Sequence, residues 1–347
     1  MILNRGLTFA FAAAVVAATC AFADQPGVSP GPGVRYATDA FPGFDSEDSI
    51  VKPSKKEPKW FAFINGPKMN NPADQFDWAL QCQSAGNFGR ARRAFDALVR
   101  EWPTSKEAPL AQMALADILL QKDLDYEDAF AEYRYLLDFY SVECDYDAVA
   151  EAMYKVAELM REEGKTIIFF RFANTVDVRR AYEAVVLRSP GSKFVPQAML
   201  TIASLRQDEE KYEEAVKVYE NLRNLYPDKP EAKTALHCEG KVRMKLLEMH
   251  GYNRMRVFDT VSFLKQALRS DVTDEMRADF QRWLDETSAL EESEAYKAAK
   301  FYDSRTRTKR SAINAYERFL REYPTSQYAD EIRARLEELK GTEGESK

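Results

Sequence analysis

Histidine and cysteine are scarce in this sequence. Its 347 residues include two histidines and four cysteines, and no two cysteines are spaced as CxxC. His237 and His250 belong to no HExxH motif, and GxSxG, GxGxxG and P-loop patterns are missing as well. The pattern therefore offers no catalytic residue, no cofactor-binding residue and no metal ligand. We predict a protein that is not an enzyme, with histidines that lie on the surface or are paired in the core.

A surplus of positive charge is also missing. The chain has 49 Lys and Arg against 56 Asp and Glu, a net charge of −7, which argues against nucleic acid as a partner because phosphate binding needs a basic surface. Acidic pairs such as Glu209-Glu210 and Glu291-Glu292 are interpreted as solvated helix faces. Two basic clusters are open to two interpretations, exposed helix charge or contact with an acidic partner or lipid headgroups: Arg90, Arg92, Arg93, and Arg305, Arg307, Lys309, Arg310.

Long apolar runs are confined to the first residues. Residues 1–5 are positively charged, residues 7–18 are apolar but too few for a comfortable membrane span, and small residues precede Asp24 at Ala21 and Ala23. This pattern predicts a secretory signal peptide over residues 1–23, with cleavage after Ala23. The alternative is cleavage before Cys20 and lipidation of that cysteine, as in bacterial lipoproteins.

Residues 24–71 are rich in proline, glycine, serine and charge, and are predicted to be a largely disordered linker. Within them, residues 60–64 (WFAFI) form an apolar island that either packs on the first repeat or docks a partner. Three cysteines follow, an odd number. Cys82 and Cys238 fall on apolar helical faces and are expected to be buried inert thiols, with a Cys144–Cys238 disulfide as the alternative.

A repeated spacing organises the rest of the chain. Phe88, Ala91, Phe95 and Leu98 are three, four and three residues apart, which places them on one face of an α-helix, and Pro103 ends that helix. The same spacing returns from residue 212 to residue 227. The residues that carry this signature are Phe88, Ala91, Phe95, Pro103, Tyr126, Ala129, Tyr133, Tyr182, Pro190, Tyr212, Ala215, Tyr219, Pro227, Ala312, Tyr316 and Pro324.

Repetition of this unit predicts an all-α solenoid of about five to six helix-turn-helix repeats over residues 72–340, with a polar tail at residues 341–347. The pattern is interrupted at Ser141, where a proline is expected, and around Gly251. It is also interrupted by residues 164–172, a strongly apolar insertion. That insertion is either a longer helix running into a buried turn or an exposed contact for a partner or membrane surface, made by Ile168, Phe169, Phe170 and Phe172.

The spacing aromatic-x2-Ala-x3-aromatic-x2-apolar-x4-Pro resembles the second helix of the tetratricopeptide repeat, and residues 86–88 (GNF) resemble its inter-helix turn. Signal-like residues together with Pro-Thr-Ser or Pro-Gly-Ser at 103–105, 190–192 and 324–326 look more specifically like the BamD-like outer-membrane assembly lipoproteins. The resemblance covers residues 72–340. The sequence around Cys20 and the 164–172 insertion depart from the pattern of that group.

The resemblance implies a non-catalytic periplasmic scaffold in the machinery that inserts β-barrel proteins into the outer membrane. Its implied partners are a β-barrel assembly component and unfolded outer-membrane protein segments, bound in a concave groove. The implied location is the periplasm or the periplasmic face of the outer membrane. The alternative function is a general cell-envelope tetratricopeptide adaptor that organises peptidoglycan or polysaccharide assembly.

Overall fold

The computed structural model describes residues 66–166, 175–251, 253–305 and 309–344. Within these ranges the chain forms α-helices and no strands, which confirms the predicted all-α fold class. The chain divides into two compact units, residues 1–235 and residues 236–347, and the division falls inside one helix. No helix in the described ranges is both long enough and apolar enough to cross a membrane.

The described part of unit 1 contains four helix pairs, numbered here as repeats one to four in chain order. The first helix of a pair is called the A helix and the second the B helix. Successive helices pack against one another in chain order. Their bounds are α1 Pro72–Ser84, α2 Phe88–Glu101, α3 Ala108–Ile118, α4 Tyr126–Phe139, α5 Tyr146–Thr166, α6 Thr175–Arg188, α7 Val195–Asp208 and α8 Tyr212–Leu225.

Local sequence explains where these helices begin. Asn71 caps α1, its side chain accepting a hydrogen bond from the Asp74 amide at 2.8 Å, and Pro72 fills the first helical position, where no amide donor is needed. Asp125 caps α4 in the same way, accepting from the Asp128 amide at 3.2 Å. The A helices α3 and α7 also carry a proline in their first turn.

The B helices end where the sequence predicts. The helices α2, α6 and α8 stop just before Pro103, Pro190 and Pro227, since a proline cannot continue the hydrogen-bond ladder. The helix α4 ends at the equivalent place although Ser141 replaces the proline. There, the Tyr140 hydroxyl donates to the Pro103 carbonyl at 2.8 Å, as the Tyr226 hydroxyl does to the Pro190 carbonyl at 2.8 Å.

The repeated apolar face forms the core of unit 1. Ala91, Phe95 and Leu98 are completely buried, which confirms that their three-and-four spacing places them on one buried helix face. A small residue at the Ala91 position lets the neighbouring helix approach, and burial of each large side chain stabilises the fold by about 1.5–3 kcal/mol. The equivalent residues of the other B helices are buried too: Ala129, Tyr133, Leu136, Val178, Tyr182, Val185, Ala215, Tyr219 and Leu222. In unit 2, the same positions of the helix Lys309–Glu322 are also buried, namely Ala312, Tyr316 and Phe319.

Unit 2 is built differently. Its helices are α9 Pro230–His250, α10 Arg254–Ala267, α11 Asp274–Arg305, α12 Lys309–Glu322 and α13 Ala329–Gly344, of which α9 begins in unit 1. The helix α11 has 32 residues. Its first half packs in a cluster with Phe263, and its second half packs in a separate cluster with Phe319.

Gly240 lets α9 approach α11 closely. A Cβ atom at this position would lie 2.6 Å from Cζ3 of Trp283 and 3.1 Å from Cε1 of Phe280, which is too close for the buried indole ring to remain in place. The sequence pattern predicts α9 as a helix but gives no reason for a glycine in its middle. That reason is a contact with a residue more than forty positions later in the chain.

Candidate interaction surface

The three described A-to-B turns of unit 1 share one backbone feature. Gly86, Leu124 and Glu210 each stand two residues before the first residue of a B helix, and each adopts a left-handed conformation with φ of 75°, 53° and 59°. Glycine adopts this conformation freely, whereas leucine and glutamate do so at a cost in free energy. The turn therefore keeps its geometry in repeats where the sequence no longer provides glycine.

The turn of repeat two contains one extra residue. In repeat two, Tyr126 at the start of the B helix lies 17 positions after Pro109 in the first turn of the A helix. In repeat four, the equivalent separation between Pro196 and Tyr212 is 16 positions. A π-helical segment, Leu119–Asp123, absorbs the extra residue. It leaves the Leu124 side chain 62% exposed beside the turn.

The contact between the A helix and the B helix is nevertheless the same in repeat one, which lacks the extra residue, and in repeat two, which contains it. The buried Gln75 amide donates to the Ala94 carbonyl at 3.0 Å, and the buried Gln112 amide donates to the Glu132 carbonyl at 3.2 Å. Gln75 also accepts hydrogen bonds from the backbone amides of residues 68 and 69, which fixes the chain as it enters α1.

Side chains connect the turns of repeats one and two. Arg92 Nη1 lies 2.7 Å from Asp123 Oδ2, and the Lys122 ammonium lies 4.9 Å from the centre of the Phe88 ring. Successive helices pack in chain order and short connections make them antiparallel neighbours, so the described A-to-B turns of unit 1 lie along one edge. We call this edge the turn edge, defined by residues 85–87, 119–125 and 209–211 and by the helix ends that flank residues 167–174.

A buried ion network lies at the turn edge between repeats three and four. The side chains of Arg179 and Arg206 are 0% exposed. Arg179 Nη1 lies 2.6 Å from Glu183 Oε1, and Arg179 Nε lies 2.7 Å from Glu209 Oε1. Arg206 Nη2 lies 3.2 Å from the same Glu183 oxygen. The network thereby connects the first turns of α6 to the end of α7.

The network extends to the surface through further ion pairs. Arg206 Nη1 lies 2.8 Å from Glu214 Oε2, and Lys211 Nζ lies 3.0 Å from Glu209 Oε2. Three cations thus face three carboxylates. Burial raises the pKa of the Glu209 carboxyl, but hydrogen bonds from Arg179 and Lys211 outweigh burial, and the net result is a lowered pKa.

This geometry corrects one prediction. Glu209 was expected on a solvated face, but its side chain is only 10% exposed and is held by two cations. The prediction was wrong because the partner Arg179 lies 30 residues earlier in the chain. Periodicity within α7 cannot indicate a partner on α6.

The core tyrosines of the B helices make a second set of contacts that spacing does not indicate. Each hydroxyl bonds a polar side chain on an earlier helix, and the pairs are Tyr133 with Asp117, Tyr182 with Glu158, Tyr219 with Gln207 and Tyr316 with Asp303. Burial raises the pKa of Tyr316 to about 12, and the hydrogen bond to Asp303 adds to the increase. The sequence signal for these contacts is an acidic or amide residue on the helix before each tyrosine.

Unit 2 holds a polar cleft of about 350 Å³ along α11 and α13. Its charged side chains are paired with one another. Lys300 Nζ lies 2.8 Å from the Tyr296 hydroxyl, whose own proton is donated to Glu331 at 2.7 Å. Arg335 Nε lies 2.8 Å from Asp303 Oδ2. The hydrogen bond from Arg335 is the main reason that the pKa of Asp303 is lowered.

The histidine and cysteine residues occupy ordinary structural positions. His237 Nε2 lies 2.8 Å from Asp279 Oδ2, and its ring stacks on Trp283 with a centroid distance of 5.4 Å. Cys82 and Cys238 are half-buried rather than fully buried, and in the described part of the chain they form no disulfide with each other or with Cys144. The described residues contain no group of His, Cys, Asp and Glu that could hold a metal ion.

The repeat-signature prolines and first aromatics differ from the buried core positions. Phe88, Tyr126 and Tyr212 are half-buried at the start of their helices, and Pro227 and Pro324 are exposed. Several predicted features lie outside the described residues. These are the signal peptide with Cys20, the 60–64 island, and the predicted contact residues Ile168, Phe169, Phe170 and Phe172.

Family profiles support the repeat assignment. Family profiles described as "Tetratricopeptide repeat" match residues 77–143, and residues 197–229 and 295–326. A crystal structure of a tetratricopeptide repeat protein from Parabacteroides merdae ATCC 43184 is similar to this chain, with 12% sequence identity and a TM-score of 0.29. The similarity covers 77% of this chain and 98% of that one. A search of curated proteins gives no match. The chain contains tetratricopeptide repeats, which are scaffolds for protein–protein interaction.

Proposed function

We propose that this protein is a non-catalytic, exported scaffold that binds a protein partner at the turn edge of unit 1, next to the connection between α5 and α6. One observation carries the proposal. The buried network of Arg179, Glu183, Arg206 and Glu209 fixes the helix that begins directly after this connection. A fixed flanking helix is the arrangement expected beside a segment that binds a partner.

Sequence supports the choice of this connection. Residues 167–172 read IIFFRF, the strongest apolar cluster outside the first 23 residues. Within the same edge the structure exposes Leu124. An apolar cluster rimmed by charged side chains is typical of a protein-binding surface.

The signal-like residues 1–23 support export, and the resemblance to BamD-like proteins supports a finer role. In that role the scaffold works in the machinery that inserts β-barrel proteins into the outer membrane. Its partners are the barrel component of that machinery and unfolded outer-membrane protein segments. The protein would be located in the periplasm or, if Cys20 is lipidated, at the periplasmic face of the outer membrane.

Affinity purification from detergent-solubilised envelope tests this role. We expect the unmodified protein to capture a barrel-assembly component, and the double variant Phe169→Asp with Phe170→Asp to lose it while keeping its thermal stability. The matched control is Leu110→Asp with Leu225→Asp, two exposed leucines elsewhere in unit 1. Unfolding of the Phe variant would show that these residues are core. Capture of peptidoglycan or polysaccharide assembly proteins instead would support the adaptor role.

The membrane anchor needs its own test. Cells that make the protein are labelled with a palmitate analogue, and the label on the purified chain is compared with that on a Cys20→Ala variant. If cleavage occurs after Ala23, the unmodified chain has no label and begins at Asp24. A label that disappears with Cys20→Ala would instead establish lipidation.

A further inference from the structure

The connection between α9 and α10 in unit 2 presents apolar side chains to solvent. Met249 is 48% exposed, Met255 is 68% exposed and Phe258 is 62% exposed. All three lie within ten positions, at the end of α9 and in the first turns of α10. We call residues 249–258 the α9–α10 corner.

The described residues of the corner, 249–251 and 253–258, are held by backbone contacts. Gly251 adopts the left-handed conformation with φ of 66°, and the Asn253 side chain caps α10 by accepting hydrogen bonds from two backbone amides, at 3.0 and 3.2 Å. Arg256 Nη1 reaches back to the Leu246 carbonyl at 3.4 Å and so links the two helices. Met255 and Phe258 are therefore exposed on a fixed helix and not at a fraying end.

The core does not use the face of α10 that carries these residues. The buried residues of α10 are Val257, Thr260, Phe263, Leu264 and Ala267. At 100° per residue, Met255 points opposite to Leu264, and Phe258 shares its side of the helix with Arg254 and Lys265. The outer face of α10 thus combines two large apolar side chains with basic ones.

The surroundings of the corner are basic on an otherwise acidic protein. Residues 241–269 contain seven Lys or Arg and two Asp or Glu, whereas the whole chain has a net charge of −7. In the described part of the chain, Arg254, Lys265 and Arg269 have no carboxylate partner in an ion pair. Basic residues that flank exposed methionine and phenylalanine are the combination that binds anionic bilayer surfaces, where the apolar groups enter the interface and the cations meet phosphates.

We propose that the α9–α10 corner binds the surface of a bilayer that contains anionic phospholipids. Met249, Met255 and Phe258 enter the headgroup region, and the basic residues on the same side, Arg254 and Lys265, contact lipid phosphates. This surface is separate from the turn edge of unit 1. The inference does not depend on the proposed function, because vesicle binding requires no protein partner.

Vesicle co-sedimentation tests the inference. The exported, processed chain is prepared with Cys20→Ala so that no acyl group contributes, and is mixed with vesicles of phosphatidylcholine alone or of phosphatidylcholine and phosphatidylglycerol in equal amounts. We expect binding to the anionic vesicles that weakens as salt is added, and no binding to the neutral ones. Met255→Ser with Phe258→Ser, and separately Arg254→Glu with Lys265→Glu, should each lower the partition coefficient about tenfold.

Two controls are matched in chemistry. Leu110→Ser with Leu225→Ser removes exposed apolar groups in unit 1, and Arg90→Glu with Arg93→Glu makes the same change in net charge on α2. Both should bind anionic vesicles as the unmodified chain does. Equal binding to neutral vesicles, or equal losses in corner and control variants, would overturn the proposal. Failure of the unmodified chain to sediment would overturn it as well and would point to an acidic protein as the occupant.

Discussion

Units 1 and 2 both pack helices around apolar cores, but the contacts recur regularly in unit 1 and do not in unit 2. In unit 1 the described turns between A and B helices are short, and equivalent positions such as Ala91 and Ala215 recur in equivalent contacts. In unit 2 the 32-residue helix α11 replaces a turn, with Trp283 in one core cluster and Ala299 in another. A periodic sequence therefore describes unit 1 closely, while unit 2 depends on single contacts between distant residues.

The charged side chains of the two units also differ in how deeply they are buried. Unit 1 buries an ion network around Arg206, whose side chain is 0% exposed. Unit 2 keeps its main cluster accessible, with the Arg335 side chain 44% exposed. A buried charge that loses its partner is costly because water cannot replace the partner, whereas an exposed charge is solvated at once.

The largest expected effect comes from breaking the buried network. Arg206→Ala should lower the stability of unit 1 by about 3–5 kcal/mol, because it leaves Glu183 without one of its buried cations. The matched change in unit 2, Arg335→Ala, should cost less than about 1 kcal/mol. Hydrogen exchange, resolved by peptide, measures each unit separately. Equal losses for the two variants would show that burial does not distinguish the two clusters.

The second effect concerns the close approach that unit 2 requires. Gly240→Ala should destabilise unit 2 by about 1–3 kcal/mol, since the new methyl group would lie against the Trp283 ring. Gly89→Ala in α2 meets no atom within 4 Å and should stabilise unit 1 by up to about 1 kcal/mol, because alanine favours helix. Thermal unfolding of the two variants provides the comparison. A stabilising Gly240→Ala would mean that α9 and α11 can move apart without loss.

These contrasts also show what the sequence can predict. The spacing of Phe88, Ala91 and Phe95 predicts the helix, its buried face and its end at Pro103, because all of this information is local. Family profiles match residues 77–143, residues 197–229 and the stretch 295–326 that ends after α12; they leave unmatched residues 144–196 and, later in the chain, residues 230–294. In that interval α9, α10 and most of α11 pack through Gly240, Phe263 and Trp283, whose contacts are not periodic.

The candidate surface was less predictable than the fold. The basic cluster at residues 90–93 is visible in the sequence, but the contact of Arg92 with Asp123 depends on a π-helical segment that one extra residue creates. The network around Arg179 joins residues up to 35 positions apart, and each of its members reads as ordinary helix charge. Such contacts depend on how helices pack, and that packing is not encoded within any one helix.

A third, smaller effect tests the turn edge. Glu210→Gly should stabilise unit 1 by about 0.5–1 kcal/mol, since φ of 59° strains glutamate and not glycine. Gly86→Ala, at the equivalent turn with φ of 75°, should destabilise by about 1 kcal/mol. Urea unfolding of both variants measures whether each change raises or lowers the free energy of unfolding. If both changes destabilise, Glu210 makes a contribution at this turn that outweighs its backbone strain.

The smallest effect appears on acidification and concerns Asp303 in unit 2. The hydrogen bond from Arg335 lowers the pKa of Asp303 below its ordinary value, although burial opposes this, and the Tyr316 hydroxyl contributes in the same direction as Arg335. A folded-state pKa below the unfolded value of about 3.9 stabilises the fold above that pH, and the contribution is lost as the pH falls through the folded-state pKa. Unit 2 should therefore lose part of its stability below about pH 4.

Arg335→Gln isolates this contribution. The pKa of Asp303 should rise in the variant, because a neutral amide replaces the cation that favours the carboxylate. A carbon NMR titration of the Asp303 carboxyl group measures the shift, and Arg333→Gln, on the same helix and paired with Asp330 at 2.7 Å, is the control that should leave it unchanged. An Asp303 pKa that is the same in all three proteins would mean that the ion pair is not maintained in solution. Arg335 would then be paired with Glu338, at 2.7 Å, and not with Asp303, and the contrast with the closed network of unit 1 would become larger.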